Sequence, residues 1–101
     1  MLMLTRKEGQ SLSINRGEEC IVLTFLQRRL AIDSRGTQWK FTIEVTDSQS
    51  GRAENYVRCI GEKFEISAMS ATVMLTRFDH GELRFGIDAP KAVFILRSEL
   101  E

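Results

Sequence analysis

At 101 residues, 43% hydrophobic and 28% charged, the chain has room for one domain but not for two ordinary ones. Its 14 basic and 14 acidic residues cancel, which argues against coating nucleic acid by bulk charge and leaves room for reading a few bases through a local patch. No apolar run approaches the roughly 18 residues of a membrane span, and the apolar start at residues 1–4 is too short for a signal-peptide core, so a cytoplasmic protein without a membrane partner is expected.

Alternating β-branched and aromatic residues predict strands at 2–7, 11–14, 20–26, 29–33, 38–46, 55–59, 63–67, 72–78, 82–87 and 92–97. No stretch shows a helical stripe, although 98–101 has room for one helical turn. The fold class expected is therefore all-β. Asn15-Arg16-Gly17, Ser34-Arg35-Gly36 and Asp79-His80-Gly81 read as turns that place glycine where positive φ is needed. Asp47-Ser48-Gln49-Ser50-Gly51-Arg52 is polar and small and reads as an internal linker. Pro90 ends strand character, because proline cannot donate to a ladder. Trp39, Phe41, Ile43 and Val45 alternate as one apolar face, so Trp39 is expected in the core.

An offset of 52 residues pairs Arg6 with Arg58, Gly9 with Gly61, Ile14 with Ile66, Leu23 with Leu75, Thr24 with Thr76 and Ile43 with Ile95. It also pairs Leu12 with Phe64, Ile21 with Val73 and Phe41 with Val93. Strand, turn and apolar face recur in the same order, and the match breaks between Gln27 and Lys40. Internal similarity at this spacing indicates a duplicated unit. The competing reading is one unit with a long β-rich insertion after Ile14.

Chemistry-bearing clusters are scarce. Cys20 and Cys59 have no metal-ligand spacing and read as reduced, buried thiols. The single histidine, His80, sits in a turn, and no Ser, Cys or carboxylate has a recognisable catalytic partner. Neither a glycine-rich phosphate loop nor a metal cluster appears. An enzyme is not expected, and no cofactor or metal site is implied. Arg6 and Arg97 end apolar strand faces, where they can reach a ligand or simply guard an edge against aggregation.

The two ends carry a further signal. Met-Leu-x-Leu-Thr-Arg-Lys-x-Gly spans residues 1–9, followed by Leu12 and Ile14. Leu-Arg-x-Gly-Ile-x-Ala-Pro-Lys-x-Val spans 83–93, with Arg97 four residues on. Together these segments resemble the carbon storage regulator (CsrA/RsmA) family of small bacterial translational regulators. The resemblance covers a little under half the chain. It implies units of five strands that interlock in pairs, the first strand of one beside the last strand of the other. Each such pairing makes a site for a GGA sequence in an RNA hairpin loop, in a messenger leader or a regulatory small RNA.

Carried over by position, the resemblance implies an RNA site of Leu4, Thr5, Arg6 and Lys7 with Ala89, Pro90, Lys91, Val93 and Arg97. Leu4 would offer an apolar surface to a base, while Lys7 and Lys91 would meet phosphates. Leu96 departs from the histidine common before the final arginine. The family's C-terminal helix has no counterpart before Glu101, which removes the docking place of a partner such as the flagellar assembly factor.

Combined with the repeat, the expectation is a monomeric pseudo-dimer in one compact domain. Residues 1–47 would form a first five-stranded repeat with a degenerate last strand, 48–54 a linker, and 55–101 a second repeat with a degenerate first strand. A second RNA face near Tyr56, Arg58 and Val45 would be eroded, with Val45 standing where Arg97 stands in the intact site. Two alternatives remain at this point. One is a homodimeric RNA binder with the long insertion and two sites. The other is a protein-interaction module that antagonises authentic regulators by exchanging its free terminal strands.

Overall fold

The computed structural model describes residues 1–97 and is all-β, in two antiparallel sheets. The strands are β1 (Leu2–Lys7), β2 (Ser11–Arg16), β3 (Glu19–Asp33), β4 (Gly36–Asp47), β5 (Ala53–Arg58), β6 (Lys63–Ile66), β7 (Ala71–Asp79), β8 (Glu82–Asp88) and β9 (Phe94–Arg97). One 3-10 turn, Ser67–Met69, links β6 to β7. The helical turn expected at 98–101 lies outside the described residues. Among the described residues no helix is long and apolar enough to cross a membrane.

The strands interleave. One sheet runs β1-β8-β7-β6 and the other β5-β4-β3-β2-β9. Thus β1 leaves its sequence neighbours to pair with β8, and β9 returns to pair with β2. Alternation explains why each strand can serve a half-buried sheet: Leu12 and Ile14, Leu23 and Phe25, Phe41 and Ile43, Val73 and Leu75, Leu83, Phe85 and Ile87 all point inward and are buried. Each such side chain contributes roughly 1.5–3 kcal/mol by leaving water. The sheets share this core, with Phe25 and Phe41 meeting edge to face at 5.9 Å.

A set of hydrogen bonds recurs along the chain. Gly9 N donates to Phe25 O and Gly61 N to Leu75 O, both at 2.7 Å. Phe25 N donates to Gln10 O and Leu75 N to Glu62 O, both at 3.1 Å. Lys7 N is capped by Gln10 Oε1 at 2.8 Å, as Cys59 N is by Glu62 Oε1 at 2.6 Å. The equivalences are 52 residues apart in the first two strands of each half (Gln10 and Glu62) and 50 apart in the third (Phe25 and Leu75). The drop of two arises between Ile14↔Ile21 and Ile66↔Ala71, where the 3-10 turn replaces a longer hairpin end.

Beyond that point the constant offset fails, and several expectations with it. Arg6 faces Leu83 across β1 and β8, while Arg58 faces Phe41 across β5 and β4. Phe41 is therefore equivalent to Leu83, not to Val93, and Ile43 to Phe85, not to Ile95. The cause is the β3–β4 hairpin, which extends to the Asp33↔Gly36 pair, whereas β7–β8 closes at Asp79↔Glu82 soon after the equivalent bulge. The break expected between Leu26 and Arg29 is this bulge, between Phe25 and Gln27, inside one long strand.

The first half has four strands rather than five: after β4 the chain turns directly into β5, so no strand in it corresponds to β9. Val45, opposite Leu23 and Glu54, is equivalent to Ile87 and does not occupy the place of Arg97. The stretch read as a linker is a closed turn, with Gly51 N donating to Asp47 O at 2.8 Å and Ser48 N to Cys20 O at 3.1 Å; Ala53 and Glu54 already belong to β5. Trp39 lies where the β3–β4 hairpin runs past the closing turn of β7–β8, at the rim of the core, and is 39% exposed. It packs on Phe78 at 6.3 Å, under the guanidinium of Arg28.

Candidate nucleic-acid interface

Both termini of the described chain end on open sheet edges. β1 is an edge of its sheet and β9 an edge of the other. Backbone amides and carbonyls on such edges lack strand partners on one side. Topology brings the two edges together. Leu2 pairs with Ile87 at the end of β8, the chain turns through Pro90 to Val93 (Val93 N donating to Pro90 O at 3.0 Å), and β9 then runs back toward the Lys7 end of β1. Arg97 arrives beside Thr5, Arg6 and Lys7, and with Gln10 and Glu82 these line a cleft of about 210 Å³.

The residues expected at a site divide accordingly. Thr5, Arg6, Lys7 and Arg97 are brought together. Lys7 and Arg97 are exposed, and Arg97 forms no ion pair or side-chain hydrogen bond among the described residues. Leu4 pairs with Phe85 and is half-buried against the core, and its backbone lies on the open edge. Ala89 and Val93 also pack against the core. Pro90 and Lys91 are exposed in the turn near the Leu2 end of β1 and do not line this cleft.

Arg6 is the main surprise within the site. It is 5% exposed, and its guanidinium donates to Thr5 O at 2.8 Å and to Ser11 O at 3.0 Å. Arg58 does the same with Val57 O at 2.9 Å and Lys63 O at 3.2 Å. The pair of arginines that marks the repeat in sequence thus braces the turn between the first two strands of each half. Such charge-assisted bonds are roughly twice as strong as neutral ones. Among the described residues that line the cleft, Arg97 and Lys7 are the cations left to meet a ligand, against the carboxylate of Glu82.

Gln10, Glu82, Arg77 and Arg84 belong to this surface and were missed from sequence. Gln10 sits 52 residues before Glu62, both beside a glycine, and that pairing was a usable signal. Glu82 and Arg84 enter only through the long-range pairing Lys7↔Glu82 and Thr5↔Arg84. Thr5, Arg77, Asp79, His80, Glu82 and Arg84 line an adjoining hollow of about 240 Å³. There Arg77 donates to Asp79 at 2.6 Å, which holds the Asp79 carboxyl below its ordinary range. His80 and Gly81 both take positive φ (53° and 78°), the two-residue turn that matches strand twist, and this fixes the hollow's outer wall.

The arrangement suits recognition by hydrogen bonding and charge. Strand-edge backbone groups, a guanidinium, an ammonium and a hydroxyl converge on an open cleft. Among the described residues no group of three or more His, Cys, Asp or Glu is placed to hold a metal. Cys20 is half-buried and Cys59 buried, neither in a disulfide, and burial pushes the Cys59 thiol above its usual value. Comparison of the chain with family models, with curated proteins and with solved structures gives no match.

Proposed function

We propose that the chain is a sequence-specific RNA-binding post-transcriptional regulator. It reads a GGA motif in a hairpin loop of messenger or small RNA through the cleft between β1 and β9. The observation that carries this reading is the convergence of two open strand edges with Arg97 and Lys7, from opposite ends of the chain. Loop bases are unstacked, so their edges can bond to strand backbone, and an exposed guanidinium adds a charge-assisted bond to base or phosphate.

The interleaved pairing supports the single-chain pseudo-dimer. β1 of the first half joins the second half's sheet, β5 of the second half joins the first half's sheet, and β9 joins β2. The carbon storage regulator resemblance implies that the first strand of one unit lies beside the last strand of the other, and here β1 and β9 together line one cleft. Residues 1–47 then form one unit and 53–97 the core of the other. An insertion is a poorer account, because residues 19–58 supply three of the five strands of one sheet and repeat the hydrogen bonds of the rest. The antagonist that exchanges its terminal strands is also a poorer account, because β1 and β9 are both paired within the chain.

Titration of the full chain with a GGA-loop hairpin tests the reading. The chain should bind it in preference to the same hairpin with a CCA loop. Arg97→Ala should weaken binding by about 1–3 kcal/mol, or roughly 5- to 150-fold. Equal affinity for the two loops, or full affinity in Arg97→Ala, would overturn it.

A further inference from the structure

The second half carries a vacancy. On β2 the outer edge is covered by β9, in the register Leu12↔Arg97, Ser13↔Leu96, Ile14↔Ile95 and Asn15↔Phe94. The residues 52 later are Phe64, Glu65, Ile66 and Ser67, on and just after β6, and β6 is an edge of its sheet. Beside it runs a groove of about 200 Å³, between β6 (Glu65, Ile66) and β5 (Glu54, Tyr56). We propose that this edge is the acceptor for one extended strand of a partner protein, with apolar side chains at alternate positions and basic residues between or beside them.

The edge is shaped for that occupant. Arg58 takes Lys63 O, as Arg6 takes Ser11 O, so the backbone offered to a partner begins at Phe64 as it begins at Leu12 on β2. Phe64, Glu65 and Ile66 are strand and match the Leu12, Ser13 and Ile14 that take β9, while Ser67 opens the 3-10 turn and closes the edge there. β6 contains no proline and no bulge, two of the devices that blunt exposed edges. Tyr56 stacks on Phe64 at 4.6 Å with its ring 9° from parallel, and its hydroxyl donates to Glu54 at 3.0 Å, so one wall is already formed. Ile21, Val45 and Ile66 give the groove an apolar lining.

Charge selects the partner. Among the described residues Asp47, Glu54 and Glu65 line the groove against Arg52, while Arg58 stands at its Lys63 end with its guanidinium bonded to backbone carbonyls. An incoming strand therefore gains from lysine or arginine and loses from carboxylates. Strand addition to a sheet edge supplies affinity through main-chain bonds and specificity through alternate side chains. A second copy's β9 is not the occupant, because β9 in every copy is engaged on β2. RNA is not the occupant either, because its phosphates would meet the three carboxylates. The proposal does not depend on RNA binding at the β1–β9 cleft.

The test uses an acetylated peptide with the sequence of residues 91–97, Lys-Ala-Val-Phe-Ile-Leu-Arg, added to the full isotope-labelled chain. Saturable amide shifts at 64–67 and 54–56, with slowed hydrogen exchange at 64–66 and one peptide per chain, are the expected result. Glu65→Lys and Glu54→Lys, both at exposed positions, should each weaken binding about tenfold while the thermal melt stays close to that of the parent. A peptide with its Lys and Arg replaced by Glu should bind about tenfold more weakly as well. Shifts confined to 12–15 would mean displacement of β9 and would overturn the proposal. So would an absence of shifts, affinity indifferent to these charges, or peptide-free dimerisation that protects the β6 amides.

Discussion

The cleft between β1 and β9 and the groove between β5 and β6 are the same place in two copies of one plan. Both have a first strand on an open edge, an arginine bracing the turn that follows, and a side-chain acceptor capping that turn. They differ in one strand. β9 lies on β2 and brings Arg97 beside Thr5 and Lys7, whereas among the described residues no strand pairs with the outer edge of β6 and the groove beside it is lined by three carboxylates. One strand thus separates a cleft lined by Arg97 and Lys7 from an acidic groove, while the bracing of both turns is shared.

The largest expected contrast is in the core beneath the two places. Ile14 is wholly buried between β3 and β9, whereas Ile66 lies on the uncovered edge strand. Ile14→Ala should cost about 3–5 kcal/mol and Ile66→Ala about 2–3 kcal/mol, read from denaturant midpoints. Equal costs would mean that β9 contributes little cover. Next come the bracing arginines. Arg6→Ala should lose about 2–3 kcal/mol because it is buried, and Arg58→Ala about 1 kcal/mol because it is half-exposed. If Arg6→Ala instead leaves stability unchanged, its assignment to the fold is wrong.

Arg97 makes the opposite prediction. Its replacement by Ala should change stability by no more than about 0.5 kcal/mol while reducing RNA affinity as described above. The smallest effect concerns the turn caps. The Cys59 amide holds the Glu62 carboxyl below its usual 4.5. A carboxylate with a lowered folded value stabilises the native state above its unfolded value, and that contribution fades as pH falls through the folded one. Because Glu62 is exposed, the effect should be at most about 0.5 kcal/mol. Thermal melts across that acid range should lose this slope in Glu62→Gln. Gln10, which is neutral, gives the first half no equivalent slope.

Much of this plan is legible in the sequence because it is local. Alternation placed the strands, and Asp-His-Gly and Asn-Arg-Gly placed hairpins whose φ values depend on those residues. The repeat was visible where both copies keep equal spacing, from Arg6 to Ile14. It was misread from the third strand on: the shorter β6–β7 connection makes Ile21, Leu23 and Thr24 equivalent to Ala71, Val73 and Met74 rather than to the residues 52 later, and beyond it residues added to both arms of a hairpin leave alternation intact while shifting every later equivalence. Val45 was misplaced for that reason, and Trp39 because period two reports a face but not how far the opposite sheet covers it. The role of Arg6 was hidden because its acceptors are backbone carbonyls, which no side-chain pattern records. Glu82 and Arg84 joined the site only through a pairing between the two ends of the chain.

The most direct test of the central claim is the mass of the RNA complex at saturation, measured by sedimentation or light scattering with a GGA-loop hairpin. One chain with one hairpin is the predicted composition, since a single chain supplies both strands of the cleft and the first half has no strand that would bring a counterpart of Arg97 to the β5–β6 groove. A complex of two chains, or of one chain with two hairpins, would contradict it.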